Sequence, residues 1–250
     1  MNLLENKIGI VVLAAGKGKR MQSDTLKVMN ELNGRPLIDY VVQVAENLDL
    51  AEKPIVVVRA GNPAVQNFLG DRAQYVEQEE QLGTGHAVGT AENILKDKVD
   101  HVVVLYGDMP FVTADSIKKL IDKHLEKNNE LTLITVVVPD FNEWRANLCD
   151  YGRVVRGVDG HIVGIVEKKD AAPEQLEIKE VNTSFFCFKS DWLWENLQKL
   201  KNENAQGEYY LTDLVKLAFE SGAKLSAVSV GSREALGINT KEHLEIARTI

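Results

Sequence analysis

The stretch that decides the fold is residues 8–14, IGIVVLA, which runs directly into the loop AGKGKRM at residues 15–21. An unbroken apolar run of this length is typical of a strand that is buried on both faces of a sheet. In open α/β sheets, ligands bind at the carboxyl ends of such strands. The stretch therefore predicts a central strand with a ligand site beside it.

The first half of the chain continues as alternating strands and helices. Strands are predicted at residues 55–58, 74–77, 101–106 and 131–138, and helices at residues 36–48 with Pro36 in the first helical position, at 84–95, and from the N-cap Thr113 onward. This rhythm predicts an α/β fold with a doubly wound, mostly parallel (mixed) sheet of the Rossmann-like kind.

The second half changes in character. The Asp159-Gly160 turn predicts a hairpin of residues 152–156 and 161–166; a strand at 180–188, helices at 191–200 and 209–221, a strand at 225–230 and a helix capped by Thr240 follow. We expect one domain over residues 1–250, with a nucleotide-binding half to about residue 110 and a sugar-binding half beyond it.

The composition excludes several classes of protein. The net charge is −8 with no long basic tract, which argues against nucleic acid as a partner. The apolar run near the N-terminus is too short for a signal peptide or a membrane span. Cys149 and Cys187 indicate free thiols rather than a disulfide framework. These features predict a cytoplasmic protein that does not act at a membrane.

The loop after the first strand carries glycines and positive charge. Gly16 and Gly18 allow the backbone to approach a ligand closely, and successive N–H groups there can bind an anion. Its cations are Lys17, Lys19, Arg20 and Lys27. The loop is neither a Walker motif nor a Rossmann fingerprint, because Met21 stands where a third glycine is required. Phosphate binding and a plain basic surface turn both remain open from these residues alone.

Residues 13–27, LAAGKGKRMQSDTLK, resemble the signature L-x-x-G-x-G-T-R-M…P-K of the sugar-phosphate nucleotidyltransferases. They are most similar to the uridylyltransferase (pyrophosphorylase) domain of the bifunctional bacterial enzymes that make UDP-N-acetylglucosamine. Lys19 replaces the usual threonine and Leu26 the usual proline. The resemblance covers nearly the whole chain and implies a GT-A-like nucleotidyltransferase fold.

The resemblance implies a set of nucleotide-binding residues. They are Leu13, Ala14, Ala15, Gly16, Lys27, Gln78, Gly83 and Thr84. Considered alone, the GTG of residues 83–85 is either a platform for an anion or base or simply the start of a helix. His86 is interpreted as a structural residue of that helix.

A metal site is predicted where the strand of residues 101–106 ends. Asp108 follows this strand, and a carboxylate facing the crevice is a natural ligand of Mg²⁺. The resemblance assigns metal binding to Asp108 and adds Asn239 as a second ligand. Without the resemblance, Asp108 could cap the next turn and Asn239 could be an ordinary loop residue.

The resemblance also implies a sugar-binding set: Tyr106, Gly107, Gly152, Glu167 and Asn182. From the residues alone, Glu167 is interpreted as a solvated surface charge. Ser184 stands where a glycine is common. Residues 204–213, NAQGEYYLTD, closely resemble a family segment whose chemistry does not reveal its role.

The implied reaction joins UTP to N-acetylglucosamine 1-phosphate and releases pyrophosphate, by in-line attack on the α-phosphorus with Mg²⁺. Arg20 would stabilise the leaving pyrophosphate and Lys27 the phosphates at the reacting centre. The alternatives are a UTP or dTTP glucose-1-phosphate nucleotidyltransferase and a non-catalytic nucleotide-sugar sensor. Acetyl transfer is not predicted, since the sequence has no hexapeptide repeats, and the oligomeric state cannot be inferred.

Overall fold

The computed structural model describes residues 6–16, 18–21 and 25–250, with the Lys19 side chain excluded. Lys17, one of the predicted loop cations, lies outside these ranges. The strands are β1 (Ile8–Leu13), β2 (Glu31–Leu32), β3 (Arg35–Pro36), β4 (Ile55–Arg59), β5 (Gln74–Gln78), β6 (His101–Tyr106), β7 (Leu131–Val137), β8 (Arg153–Arg156), β9 (Ile162–Val166), β10 (Glu180–Lys189) and β11 (Leu225–Ser229).

Helices cover both faces of the sheet that these strands form. They are α1 (Leu37–Glu46), α2 (Ala64–Leu69), α3 (Thr84–Gly89), α4 (Glu92–Leu95), α5 (Ala114–Lys127), α6 (Pro173–Leu176), α7 (Ser190–Leu197), α8 (Asp213–Glu220) and α9 (Lys241–Ala247). None of the helices within the described ranges has the length and hydropathy that a membrane span requires.

Among the described residues, nine strands form one sheet, whose main order is β11-β7-β10-β6-β1-β4-β5. Strand β1 pairs in parallel with β4 and β6, β4 with β5, and β7 with β11. Strand β10 runs antiparallel to β6 and β7, and β8 joins the β8–β9 hairpin to β10. The predicted doubly wound, mixed sheet is confirmed.

Strand β1 shows why the apolar run of residues 8–14 forms the centre of the sheet. Ile10 and Val12 pack into a core beneath α1, α2 and α5, whereas Val11 packs into the opposite core beneath α3, α7 and α8. All three side chains are buried. Each aliphatic side chain buried in this way contributes about 1.5–3 kcal/mol, which stabilises the strand at the centre of the sheet.

Two helix predictions were correct in their caps. The Thr113 side chain accepts the Ser116 backbone N–H at 3.2 Å at the start of α5. Thr240 accepts the His243 N–H at 3.2 Å at the start of α9. The hairpin predicted from Asp159-Gly160 is also present as β8 and β9.

Other helix boundaries were wrong. The helix predicted at 84–95 is two short helices, and the Thr90 hydroxyl donates to the Ala87 carbonyl at the break. The helix predicted at 209–221 begins only at Asp213, because the residues before it pair with the loop at 82–85 instead. Pro36 is the N-cap residue of α1 and belongs to β3, so α1 begins at Leu37.

Candidate active site

Two adjoining cavities open at the carboxyl ends of β1 and β6. The larger has a volume of about 670 Å³ and the smaller about 210 Å³. Five residues line both cavities: Arg20, Lys27, Tyr106, Asp108 and Asn239. The groups that the sequence assigned to catalysis and to the metal therefore meet where the two cavities join.

The larger cavity contains most of the residues predicted to bind the nucleotide. Its walls include Leu13, Ala15, Gly16, Lys27, Gln78, Gly83 and Thr84. Ala14 does not line it: its side chain is buried in the core, and its backbone N–H donates to the Val57 carbonyl at 2.9 Å. The structure thus separates Ala14 from its predicted partners.

Lys27 lies between the two predicted metal ligands. Its Nζ atom is 2.5 Å from Asp108 Oδ2 and 3.1 Å from Asn239 Oδ1. All three residues line both cavities. The side chains of Lys27 and Asp108 are largely shielded from solvent. Two oxygens from distant parts of the chain thus contact the same ammonium group, that of Lys27. Hard oxygen donors of this kind suit Mg²⁺.

The loop geometry explains how Lys27 reaches this point. Gly18 has a φ of +60°, and a Cβ atom on it would lie 2.7 Å from the Lys27 Cβ, so the loop packs directly against the lysine. Leu26, which replaces the usual proline, is buried and has a φ of −52°. Proline would impose nearly this angle. Leu26 has the same backbone angle without the ring, and its side chain is fixed by packing in the core.

The smaller cavity contains most of the predicted sugar-binding residues, namely Tyr106, Gly152, Glu167 and Asn182. Gly107 instead packs beneath the loop, where its N–H donates to the Leu13 carbonyl at 3.0 Å. A Cβ atom on Gly152 would lie 2.7 Å from Ile165 Cγ2 and 3.2 Å from Glu167 Oε1. Only glycine therefore fits beside this carboxylate.

Glu167 is part of the cavity wall rather than a solvated surface charge, so the interpretation from the residues alone was wrong. Its Oε1 atom accepts a hydrogen bond from the Thr212 hydroxyl at 3.0 Å. Burial raises the pKa of the Glu167 carboxyl above its ordinary value, although the Thr212 hydrogen bond opposes this. A carboxylate in this position can accept hydrogen bonds from ligand hydroxyls.

Ser184, the residue in place of the usual glycine, has a left-handed backbone. Its φ is +65°, a region that favours glycine. The strand pairing of β10 shifts between Asn182 and Phe186, and the Ser184 N–H donates to Asn182 Oδ1 at 3.1 Å. This irregularity turns Asn182 and Ser184 towards the smaller cavity.

Arg20 makes a contact that the sequence did not reveal. Its guanidinium is 3.0 Å from Asp150 Oδ2, and Lys168 Nζ is 2.7 Å from Asp150 Oδ1. Asp150 therefore joins the glycine-rich loop after β1 to the residues that follow the β8–β9 hairpin. Its position two residues before Gly152 was the available signal, but the pattern of residues did not indicate the pairing with Arg20.

Gln78 is held in a fixed orientation in the wall of the larger cavity. Its Nε2 atom lies 2.9 Å from His86 Nδ1 and donates to the Gly83 carbonyl at 3.3 Å. Since both contacts use the amide nitrogen, His86 orients the carboxamide from within its helix. This contact agrees with the interpretation of His86 as a structural residue.

Residues 204–213, whose role was obscure, bind the loop that carries Gly83. The Tyr209 N–H donates to the Leu82 carbonyl at 2.8 Å, and the Gly85 N–H donates to the Tyr209 carbonyl at 2.8 Å. The Leu211 N–H donates to the Thr84 hydroxyl at 3.0 Å. Because Thr212 also contacts Glu167, this segment connects the walls of both cavities.

Gly83→Ala should be strongly destabilising because the segment at Tyr209 leaves no room for a side chain. Gly83 has a φ of +112°, and a Cβ atom there would lie 2.6 Å from Tyr209 O and 2.7 Å from Tyr209 N. We expect a loss of about 2–3 kcal/mol in the free energy of unfolding, measured by urea denaturation.

Gly89→Ala is the matched control for this substitution. Gly83 is the N-cap residue of α3, and Gly89 is the last residue of that helix. A Cβ atom on Gly89 would meet nothing within 4 Å. This variant should be as stable as the wild type or up to about 1 kcal/mol more stable. Equal stabilities for the two alanine variants would contradict the packing role of Gly83.

The comparison with protein families defines the chain as a nucleotidyltransferase. The chain belongs to the family of MobA-like NTP transferase domains, whose model matches residues 10–210. Enzymes of this family are generally metal-dependent.

Three relatives share the name "Bifunctional protein GlmU". The chain is 44% identical to the one from Acetivibrio thermocellus, over 96% of this chain and 50% of the relative. It is 42% identical to that from Shouchella clausii, over 95% and 51%, and 39% identical to that from Clostridium acetobutylicum, over 94% and 50%. The chain therefore spans about half the length of these relatives.

A solved structure supports the fold alone. It is a Bacillus anthracis protein assigned as a glucose-1-phosphate thymidylyltransferase, in complex with a sucrose. The TM-score is 0.74 and the identity 18%, over 97% of this chain and 96% of that chain.

Proposed function

We propose that the protein transfers uridylyl from UTP to N-acetylglucosamine 1-phosphate, giving UDP-N-acetylglucosamine and pyrophosphate. The observation that carries this proposal is the convergence of Lys27, Asp108 and Asn239 at the junction of the two cavities. One cavity contains the predicted nucleotide residues and the other the predicted sugar residues. The identity of about 40% to GlmU proteins supports this choice of substrates.

The nucleotide side suits a uracil base. With the amide nitrogen of Gln78 engaged by His86 and Gly83, its amide oxygen is the atom left to accept a hydrogen bond. Uracil offers an N3–H donor at this edge, whereas the corresponding nitrogen of cytosine is an acceptor. We therefore expect UTP to be preferred over CTP.

The reaction requires alignment and charge neutralisation rather than a covalent intermediate. A phosphate oxygen of the sugar phosphate attacks the α-phosphorus and forms a new P–O bond. The bond from the α-phosphorus to the oxygen that bridges the α- and β-phosphorus atoms breaks, and pyrophosphate leaves with that oxygen. Lys27 would neutralise the phosphates at the reacting centre. Arg20 would exchange Asp150 for oxygens of the leaving pyrophosphate.

Asp108 and Asn239 fit Mg²⁺ as ligands because each contributes one oxygen to the same point. The described part of the chain holds no cluster of three or more His, Cys, Asp or Glu side chains suited to a metal ion. Substrate phosphates and water would complete the coordination, as is usual for Mg²⁺. When bound, the ion would supply positive charge at the α-phosphate.

The sugar side is assigned to the second half of the chain. Gly152 leaves space beside Glu167, and Asn182 lies on the same wall. We propose that Glu167 accepts hydrogen bonds from sugar hydroxyls and that the backbone at Gly152 accommodates the acylamino group. Since charged nucleotides of this kind are cytoplasmic metabolites, we propose that the protein acts in the cytoplasm.

A pyrophosphate-release assay with Mg²⁺ tests this function. UTP, dTTP and CTP are each combined with N-acetylglucosamine 1-phosphate and with glucose 1-phosphate. We expect the highest kcat/KM for UTP with N-acetylglucosamine 1-phosphate. A higher kcat/KM for glucose 1-phosphate would show that the sugar substrate is not N-acetylglucosamine 1-phosphate. No pyrophosphate from any pair would overturn the enzymatic function in favour of a nucleotide-sugar sensor.

A further inference from the structure

One phenolic hydroxyl makes two hydrogen bonds to the loop that presents Asn239. This loop runs from the 3-10 helix Ser232–Ala235 to the N-cap of α9. The Tyr151 hydroxyl donates to the Ala235 carbonyl at 2.6 Å and accepts the Gly237 N–H at 2.7 Å. Both hydrogen bonds fall within four residues of Asn239 in the sequence.

The loop is shaped around this hydroxyl. A Cβ atom on Gly237 would lie 2.6 Å from Tyr151 Oη, so a side chain at that position would displace the tyrosine. On its other side, the loop donates the Ile238 N–H to the Asp108 carbonyl at 2.9 Å. Tyr151 and the Asp108 backbone therefore hold the residues before Asn239 from two directions.

The apolar contacts of the loop do not determine the direction of its polar end. Leu236 and Ile238 are buried against Leu37 and α9, which fixes the loop to the body of the protein. Asn239 itself has its backbone N–H directed to His243 Nδ1, at 3.3 Å. The hydrogen bonds of Tyr151 therefore supply directional restraint in the segment between Ala235 and Asn239.

We propose that Tyr151 is a positioning residue, which holds the loop of residues 235–239 so that the Asn239 side-chain oxygen faces Asp108. Its neighbour Gly152 lies on the sugar wall. Tyr151 thereby connects the metal side of the site to the sugar side. The part of this inference that concerns metal affinity rests on the proposed function.

Tyr151→Phe tests the inference, because it removes the hydroxyl and keeps the ring. The Gly237 N–H and the Ala235 carbonyl lose their shared partner, and the loop becomes free to shift. Groups that orient a metal ligand typically contribute 10–100-fold in metal affinity. We expect the Mn²⁺ affinity of the UTP complex, followed by electron paramagnetic resonance, to fall by about 10-fold.

Tyr75→Phe is the matched control. Tyr75 also donates its hydroxyl to a backbone carbonyl, that of Gly70 at 2.6 Å, but it lies on β5 and does not line either cavity. This variant should bind Mn²⁺ with wild-type affinity. Equal Mn²⁺ affinities for the Tyr151→Phe and Tyr75→Phe variants would overturn the inference.

A double-mutant cycle separates positioning from general stability. If Tyr151 acts through Asn239, the Tyr151→Phe change should have little further effect on Mn²⁺ affinity once Asn239 is replaced by alanine. Full additivity of the two losses would overturn the inference.

Hydrogen exchange tests the loop without any metal or substrate. The Gly237 amide should exchange at least about 10-fold faster in the Tyr151→Phe variant, as expected when a protecting hydrogen bond is lost. Unchanged exchange would show that Tyr151 does not hold the loop. If the Gly237 amide exchanges faster in the variant but the wild-type protein does not bind Mn²⁺ with UTP, Tyr151 still holds the loop and the proposed function is refuted. The two failures are therefore distinguishable.

Discussion

Asp108→Asn should lower kcat for pyrophosphate release by about 10²–10³-fold, the usual effect of removing one preorganised electrostatic contact. The carboxylate is the only formal negative charge among the three groups that meet at the cavity junction, Lys27, Asp108 and Asn239. Its loss would remove one of the two proposed metal ligands and leave the Lys27 ammonium without its ion-pair partner. Steady-state kinetics with saturating UTP and Mg²⁺ measure the effect.

Two further variants make this prediction specific. Lys27→Ala should lose activity to a similar extent, because it removes the cation from the same point. Asp140→Asn is the matched control, since Asp140 also forms an ion pair, with Arg145 at 2.7 Å, but lines neither cavity. It should retain near wild-type activity. Near wild-type rates for both Asp108→Asn and Lys27→Ala would refute the site assignment.

Acidification should destabilise the protein through His124. This side chain is fully buried on α5, with Nδ1 3.0 Å from the Thr132 hydroxyl and Nε2 3.1 Å from His101 Nδ1. Burial, with additional repulsion from His101 and Lys189, lowers the pKa of His124 to about 3 from an ordinary value of 6.5. Burial also lowers the pKa of His101.

The sign of the effect follows from where the proton binds. Below pH 6.5 the unfolded chain protonates His124, whereas the folded protein does not until about pH 3. The stabilisation from this residue is thus fully present above pH 6.5 and is lost as the pH falls through this window. The slope is about 1.4 kcal/mol per pH unit, which gives a total on the order of 5 kcal/mol across this window.

Urea unfolding across this pH window measures the slope. In a His124→Asn variant we expect lower stability at neutral pH but a shallower loss on acidification, because the titrating group is gone. His161→Asn is the control, since His161 is exposed in the β8–β9 hairpin and should leave the slope unchanged. An unaltered slope in the His124→Asn variant would contradict the assignment.

Much of the fold follows from local patterns in the sequence. The apolar run of β1 and the similar run of β6 can be satisfied only by burial on both faces of a sheet, and the structure has both. The caps Thr113 and Thr240 were predictable because a cap involves only residues close in sequence. Helix ends that depend on distant contacts, such as the start of α8, were not.

The sequence identified most of the residues that line the two cavities, but not the contacts between them. Motif positions identified Lys27, Asp108 and Asn239, and the structure brings these residues together. The pairing of Arg20 with Asp150 joins residues 130 positions apart, and no local pattern encodes it. For Glu167, the neighbouring lysines suggested a solvated position, whereas packing against Gly152 places it in a cavity wall.

By itself, the sequence determined the order of the strands in the main sheet and of the longer helices, the glycine-rich loop at the end of β1 and the residue types available for phosphate and metal binding. These depend on hydrophobic periodicity and on backbone preferences, which act over a few residues. Only the tertiary structure decided that residues 204–213 hold the Gly83 loop and that the Tyr151 hydroxyl lies between Ala235 and Gly237. Such contacts join segments far apart in the chain, and their energies depend on distances that exist only once the sheet has formed.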